Sequence, residues 1–233
     1  MMKVAGVVVA AGRGIRAGGK LPKQYETVEN TPMLTLTVAA LLKSKKIQAI
    51  VVVINPLDID LYINSIKNIT DKRLLPYCLG GNERSESVRL GLKALTECNP
   101  KKVLIHDAAR PYITTKTINK VLKSLDTNAA VLPVLPIFDA IWERRKLTYK
   151  TGNIIPGPNR NNLYRAQTPQ GFNRKAIIEA HSAHQGEAPD DVTVAQAYGL
   201  NVTTVAGDEE NLKITHPADF ERAQLIMRGR NGR

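Results

Sequence analysis

The feature that most narrows the fold is an almost unbroken apolar run, Val4 to Ala11, cut off by Gly12 and Gly14. It lacks the polar–apolar alternation of a half-exposed strand, so both faces must be covered, as in a parallel strand lying under helices. Similar runs recur at Ala49–Ile54, Leu74–Leu79, Val103–Ile105 and Ala129–Leu135. Between them the apolar spacing turns helical: Met33 to Leu42 after Pro32, Asp58 to Ile69 with Ile59, Ile63 and Ile66 on one stripe, Glu83 to Leu95, and Thr114 to Leu125. This alternation predicts a doubly wound α/β sheet, with ligands at the carboxyl ends of its strands.

Three unusual segments follow strand ends: Gly12 and Gly14, Gly80 and Gly81, and His106 to Pro111. The first opens a stretch carrying Arg13, Arg16, Lys20 and Lys23, with no acid before Glu26. Glycine lets a backbone approach a ligand and present N–H groups to it, and four neighbouring cations repel one another unless an anion sits among them. A loop holding a polyphosphate fits; the alternative is a solvated basic turn. A Walker A sequence is absent. Gly12, Gly14 and Ala17 formally meet the dinucleotide fingerprint, but Gly18, Gly19 and Pro22 break the helix it requires. The acid expected after the second strand is also replaced by Asn55-Pro56. What remains is a loop around a nucleoside triphosphate.

After residue 135 the rhythm breaks. Residues 136–163 hold Pro136, Pro156 and Pro158, with strand-like pieces at Ala140–Glu143 and Leu147–Tyr149. A hairpin arm of this kind has too little apolar area to stand alone, which points to a homodimer packed through it; a flexible excursion is the alternative. The core pattern resumes with helices at Arg174–His184, Asp191–Tyr198 and Pro217–Met227 and strands at Val202–Val205 and Asn211–Thr215, ending in a loose tail over 228–233. We read a single domain over 1–233. The net charge of +12 fits either a nucleic-acid binder or an enzyme of phosphorylated substrates. The cations are dispersed and only seven Tyr, three Phe and one Trp could stack on bases, so small phosphates are favoured over nucleic acid. No run reaches the roughly 20 apolar residues of a membrane span, and no signal peptide is evident. Cys78 and Cys98 lack metal-ligand spacing and read as reduced core thiols of a cytoplasmic protein. His181 and His184 read as a surface face, and Asp190-Asp191 as a helix cap.

Ala10-Ala11-Gly12-x-Gly14-x-Arg16 with Pro22-Lys23-Gln24-Tyr25 resembles the signature of the 2-C-methyl-D-erythritol 4-phosphate cytidylyltransferases of non-mevalonate isoprenoid synthesis. Four further blocks agree in order: Gly80-Gly81-x-x-Arg84-x-x-Ser87-Val88-x-x-Gly91-Leu92, His106 to Pro111, Gln167 to Phe172, and Asn211 to Thr215. The resemblance implies a Rossmann-like, mostly parallel nucleotidyltransferase sheet with a protruding β-arm. It implies transfer of CMP from CTP to the sugar phosphate with release of pyrophosphate. Arg16, Lys23 and Lys213 would be catalytic. Ala10, Ala11, Gly12, Gly14, Gly80, Gly81, Ser87 and Ala108 would bind CTP, with Mg2+ held mainly by its phosphates. Asp107, Arg110, Arg160 and Thr168 would meet the sugar phosphate, Arg160 from the other subunit of a dimer. Arg110 could instead form an internal ion pair with Asp107.

Three positions depart from the family pattern. Asp139-Ala140-Ile141-Trp142 stands where Asp-Thr-x-Lys is common, Pro189 replaces a frequent threonine, and Asn30 replaces a frequent glycine. The first two fall on the sugar-phosphate half, which keeps ribitol 5-phosphate as the rival acceptor. The Asp-Ala-x-Trp variant also resembles the nucleotidyltransferase half of enzymes fused to a cyclodiphosphate synthase. A remote alternative is a non-catalytic nucleotide- or RNA-binding module.

Overall fold

The computed structural model describes residues 3–12, 21–144 and 154–231. In chain order its strands are β1 (Val4–Ala10), β2 (Thr27–Val28), β3 (Thr31–Pro32), β4 (Ala49–Ile54), β5 (Cys78–Leu79), β6 (Lys102–Asp107), β7 (Ala130–Pro136), β8 (Trp142–Arg144), β9 (Ile154–Pro156), β10 (Tyr164–Ala166), β11 (Gln170–Asn173) and β12 (Val202–Ala206). The helices are α1 (Met33–Leu42), α2 (Ile59–Ile66), α3 (Arg84–Ala94), α4 (Thr115–Ser124), α5 (Arg174–Ala183), α6 (Asp191–Ala197) and α7 (Pro217–Asn231). One eight-stranded sheet runs β10-β7-β11-β6-β1-β4-β5, with β12 also paired to β7. Here β1 pairs in parallel with β4 on one side and β6 on the other, so the chain reverses its direction of travel across the sheet beside β1. Such a reversal opens a crevice at the carboxyl ends of the strands.

The unbroken apolar character of β1 has its reason in the two layers that cover it. Val4, Val8 and Ala10 join Ile50, Val52 and Ile54 under α1 and α4, while Ala5 and Val7 join Val51 and Val53 under α3, α5 and α6. Burying a Val or Ile side chain contributes roughly 1.5–3 kcal/mol, so these strands anchor the sheet. Gly91 lets α3 sit directly on it: a Cβ there would lie 2.6 Å from Val7 Cγ1 and 2.7 Å from Val53 Cγ2. The departure at Asn30 is also explained. Glu29 and Asn30 form the two-residue turn between β2 and β3 at φ +47° and +63°, a left-handed region that asparagine tolerates well.

Several expectations are corrected. The third strand is only Cys78–Leu79, with an isolated bridge from Leu74 to Ile50, because Pro76 between them has no N–H to donate. In α2, Tyr62 and Ser65 are buried and Ile63 is half exposed. Asn211–Thr215 is not a strand, since its carbonyls serve side chains instead: Asn211 O accepts from Arg110 and Gln167, and Ile214 O from Lys23. β10 and β11, which the sequence pattern missed, run antiparallel to β7. The loose tail is likewise overturned for its described part. Helix α7 continues to Asn231, with Arg228 on Glu29 at 2.8 Å and Arg230 on Glu210 at 2.8 Å and over the Tyr112 ring. The arm forms as β8 paired with β9, later than the Leu147–Tyr149 segment, which lies outside the described residues. Phe138, Trp142 and Ile154 on it are exposed.

Candidate active site

A cleft of about 500 Å3 opens where β1, β5 and β6 end. Val9 to Gly12 line one wall, Gly81 to Arg84 and Ser87 another, Asp107 to Ala109 a third, and Lys23, Gln24, Lys213 and Thr215 close it.

One end of the cleft is made of small residues. A Cβ on Gly80 would lie 2.6 Å from Ala11 Cβ and 2.7 Å from Ser87 Oγ, so only glycine lets the β5 turn meet the β1 turn. Ser87 is buried, and its hydroxyl accepts the Gly81 N–H at 3.2 Å, which fixes the backbone of the second glycine. The family motif contains Gln24, but sequence reasoning gave it no role. Its buried amide donates to Ala10 O at 2.7 Å and Gly12 O at 2.9 Å. Both carbonyls therefore have a donor, which leaves less unpaired negative dipole in a loop that would receive an anion.

The other end is charged. Asp107 accepts from Lys213 at 2.9 Å and faces Arg110 Nε at 3.5 Å and Arg84 at 3.9 Å. Burial alone would raise its pKa, but Lys213, Arg84 and Arg110 together hold it well below the usual carboxylate range. Arg84 is anchored from behind by Asp191 at 2.7 Å. Asp191 is fully buried, and His181 Nε2 lies 3.2 Å from its other oxygen. This corrects the reading of His181 as surface: it is 3% exposed and packs beneath the cleft. Asp190 does cap α6, accepting from Thr193 N–H at 2.9 Å. A run of two acids before an apolar helix signals a cap; the second acid's reach to Arg84, 107 residues away, has no local signature.

The predicted site residues divide clearly. Ala10, Ala11, Gly12, Lys23, Gly81, Ser87, Asp107, Ala108 and Lys213 line one cleft, with Gly80 behind them. The two lysines converge, since Lys23 Nζ donates to the carbonyl of Ile214, the residue after Lys213, at 3.0 Å. Arg16 and Gly14 lie outside the described residues. Arg110 is turned inward, donating to Asn211 O at 2.8 Å and Ala166 O at 3.2 Å, so the internal pairing with Asp107 is the arrangement found. Thr168 is 4% exposed and stands behind Asp107, whose N–H it accepts at 3.0 Å. Arg160 is exposed on the arm and bonds the Phe138 carbonyl there, not the cleft of its own chain. Cys78 and Cys98 are free and half-buried.

Asp107 is committed to three cations, and among the described residues no group of three His, Cys, Asp or Glu side chains is arranged for a metal.

Comparison with known proteins adds an independent line. Residues 4–229 match the family model described as 2-C-methyl-D-erythritol 4-phosphate cytidylyltransferase. A protein of that name from Roseobacter denitrificans is 43% identical, covering 99% of this chain and 100% of its own. A bifunctional enzyme IspD/IspF from Paramagnetospirillum magneticum is 44% identical over 98% of this chain, which spans 58% of that longer protein. The crystal structure of the 2-C-methyl-D-erythritol 4-phosphate cytidylyltransferase from Thermus thermophilus superposes with a TM-score of 0.77 at 30% identity, covering 97% of this chain and 100% of that one.

Proposed function

The chain belongs to the 2-C-methyl-D-erythritol 4-phosphate cytidylyltransferase family and is a cytidylyltransferase; we propose that the cleft beside β1 is where it joins CMP from CTP to the sugar phosphate. The observation that carries this assignment is the meeting of a glycine-floored end and a cationic, Asp107-centred end within one cleft.

A phosphate monoester has a second pKa near 6 and is largely dianionic at pH 7, so its oxygen can attack without a general base. A bond forms from that oxygen to the α-phosphorus of CTP, the bond from the α-phosphorus to the bridging oxygen breaks, and pyrophosphate leaves with the electron pair. The protein's task is to align these groups and neutralise the charge that gathers on them. Lys23 and Lys213, together with Arg16, take that role in our reading. Gly80, Gly81 and Ser87 seat the cytosine and ribose, and the backbone of Ala10 to Gly12, with Gly14 and Ala108, seats the phosphates. Asp107 accepts from the hydroxyls of the polyol, with Arg110 and Thr168 supporting it from behind. Mg2+ bound to the triphosphate would supply further charge neutralisation.

Arg160 would reach the acceptor across a homodimer formed through the 136–163 arm, whose exposed Phe138, Trp142 and Ile154 a second copy would cover. Among the described residues no helix is long and apolar enough to cross a membrane, and the free thiols accord with a cytoplasmic enzyme. Ala140 and Pro189 depart from the family pattern on the acceptor side, so the test must include the rival polyol. Pyrophosphate release is measured with CTP and Mg2+, using methylerythritol 4-phosphate and ribitol 5-phosphate in parallel. Release with the first alone is expected. Release with ribitol 5-phosphate alone would move the acceptor assignment, and release with neither would sink the transferase reading.

A further inference from the structure

His106, the last residue but one of β6, has no exposed surface and does not line the cleft, yet its ring joins Arg110, at the far end of the Asp107 turn, to Thr168. Nε2 lies 3.0 Å from the carbonyl of Arg110, and Nδ1 lies 2.9 Å from Thr168 Oγ1. That same hydroxyl lies 3.0 Å from the Asp107 N–H.

Hydrogen-bond chemistry permits one arrangement of protons. A carbonyl can only accept, so Nε2 carries the hydrogen. Burial pushes the imidazole down to about 4, so the ring is neutral at pH 7 and Nδ1 is a bare acceptor. The backbone N–H of Asp107 can only donate, so the Thr168 oxygen accepts from it and sends its own hydrogen to Nδ1. The chain therefore runs from Asp107 N–H to Thr168, then through the ring to Arg110 O, and every polar group in it is satisfied. The turn is held elsewhere by Arg110 N–H to Asp107 O at 3.1 Å and by Ile214 N–H to Ala109 O at 2.9 Å. The ring's neighbours also carry charge. The Asp107 carboxylate and Arg110 guanidinium face each other beside it, while Thr168 brings none.

We propose that His106 is a positioning residue: its neutral ring, protonated at Nε2, braces the Asp107–Arg110 turn through Thr168, so that the Asp107 carboxylate stands ready for the acceptor. This deepens the proposed function and rests on its assignment of Asp107 to the acceptor. It also gives the Thr168 hydroxyl a bracing role beside any contact with the sugar phosphate, since its hydrogen and one of its two oxygen lone pairs are engaged.

Two measurements test the brace. Nitrogen NMR of the full chain, labelled at histidine, should show His106 as the Nε2–H tautomer with no titration between pH 8 and about 5.5. A titration near pH 6.5, or the Nδ1–H tautomer, would overturn the proposal. In kinetics, Thr168→Val leaves the Asp107 N–H without its acceptor and should raise the acceptor KM about tenfold or more, with the CTP KM within about twofold. Thr168→Ser should restore the acceptor KM to within about threefold, and His106→Gln, which keeps a donor toward Arg110 O, should fall between. An unchanged acceptor KM in Thr168→Val, or equal rises in both KM values, would refute the positioning role. The NMR measurement needs no turnover, so a failure of the proposed reaction would be distinguishable from a failure of the brace.

Discussion

The two ends of the cleft are built on opposite principles. The β1–β5 end is shaped by atoms that are missing: Gly80, Ala11 and Ala10 leave a floor on which one added methyl group would collide. The β6 end is shaped by atoms that are present, with one carboxylate facing three cations and a fully buried second carboxylate anchoring one of them. The first kind of site resists additions and tolerates changes of charge nearby. The second resists deletions, because removing one partner leaves an uncompensated buried charge.

The largest expected effect tests the two lysines that line the cleft. Lys23→Ala and Lys213→Ala should each lower kcat by about a hundredfold or more, by analogy with the roughly 3 kcal/mol lost when one donor to a transition-state oxyanion is removed. Pyrophosphate release at saturating substrates checks this. An unchanged kcat in both variants would remove the lysines from the catalytic account.

A stability measurement sharpens the contrast next. The pKa of His106 falls from 6.5 in the unfolded chain to about 4 in the fold because of burial. The fold thus binds fewer protons than the unfolded chain in that window, so stability is full above pH 6.5 and drains as pH falls toward 4. At pH 5 the loss attributable to this ring should be about 2 kcal/mol, at 1.36 kcal/mol per unit. Asp107 and Asp191 are held down by their cations, so they contribute at pH values above their unfolded pKa and lose that contribution only below about pH 3.8. Urea melts at pH 7 and pH 5 check the window. Equal losses in the unmodified chain and His106→Gln would remove the ring from the account.

The two ends also differed in how far the sequence revealed them. Glycine after an apolar run is a local signal, and it marks the β1 and β5 ends of the cleft in the sequence itself. Apolar runs also marked the parallel strands, because a strand covered on both faces has no polar residues to hide it. The charged end was only half visible. Asp107 and Lys213 stood out through a family resemblance, but the direction in which Arg110 and Thr168 point depends on partners 56 and 61 residues away. His181 looked like surface on helical spacing, and only the packing of α5 against α6 makes it a partner of Asp191. The short antiparallel β10 and β11 were missed because they carry polar and proline-flanked residues, and their pairing with β7 is nonlocal.

A third prediction addresses the missing atoms directly. Gly80→Ala would put a Cβ against Ala11 and Ser87, neither of which has a flexible end to move aside. Overpacking of this kind costs about 1–3 kcal/mol, and at this position it should appear as a CTP KM raised about tenfold or more, with the acceptor KM unchanged. If the acceptor KM rose instead, the two ends would not be separable in the way their construction implies.

The smallest effect concerns a residue at neither end. Arg160 sits on the exposed arm, tied to the Phe138 carbonyl of its own chain, and does not line its own cleft. If the arm of a second copy completes the acceptor end, Arg160→Ala should raise the acceptor KM about tenfold while leaving kcat and the CTP KM near their starting values, as expected for an interaction made equally in ground and transition states. Mixing inactive Lys23→Ala chains with Arg160→Ala chains separates this from a local effect. A mixed dimer would pair the intact Lys23 of one chain with the intact Arg160 of the other, restoring a normal acceptor KM at half of its clefts. A tenfold defect that persists in the mixture, with dimers demonstrated by light scattering, would place Arg160's influence within its own chain and leave the charged end of the cleft complete without a partner.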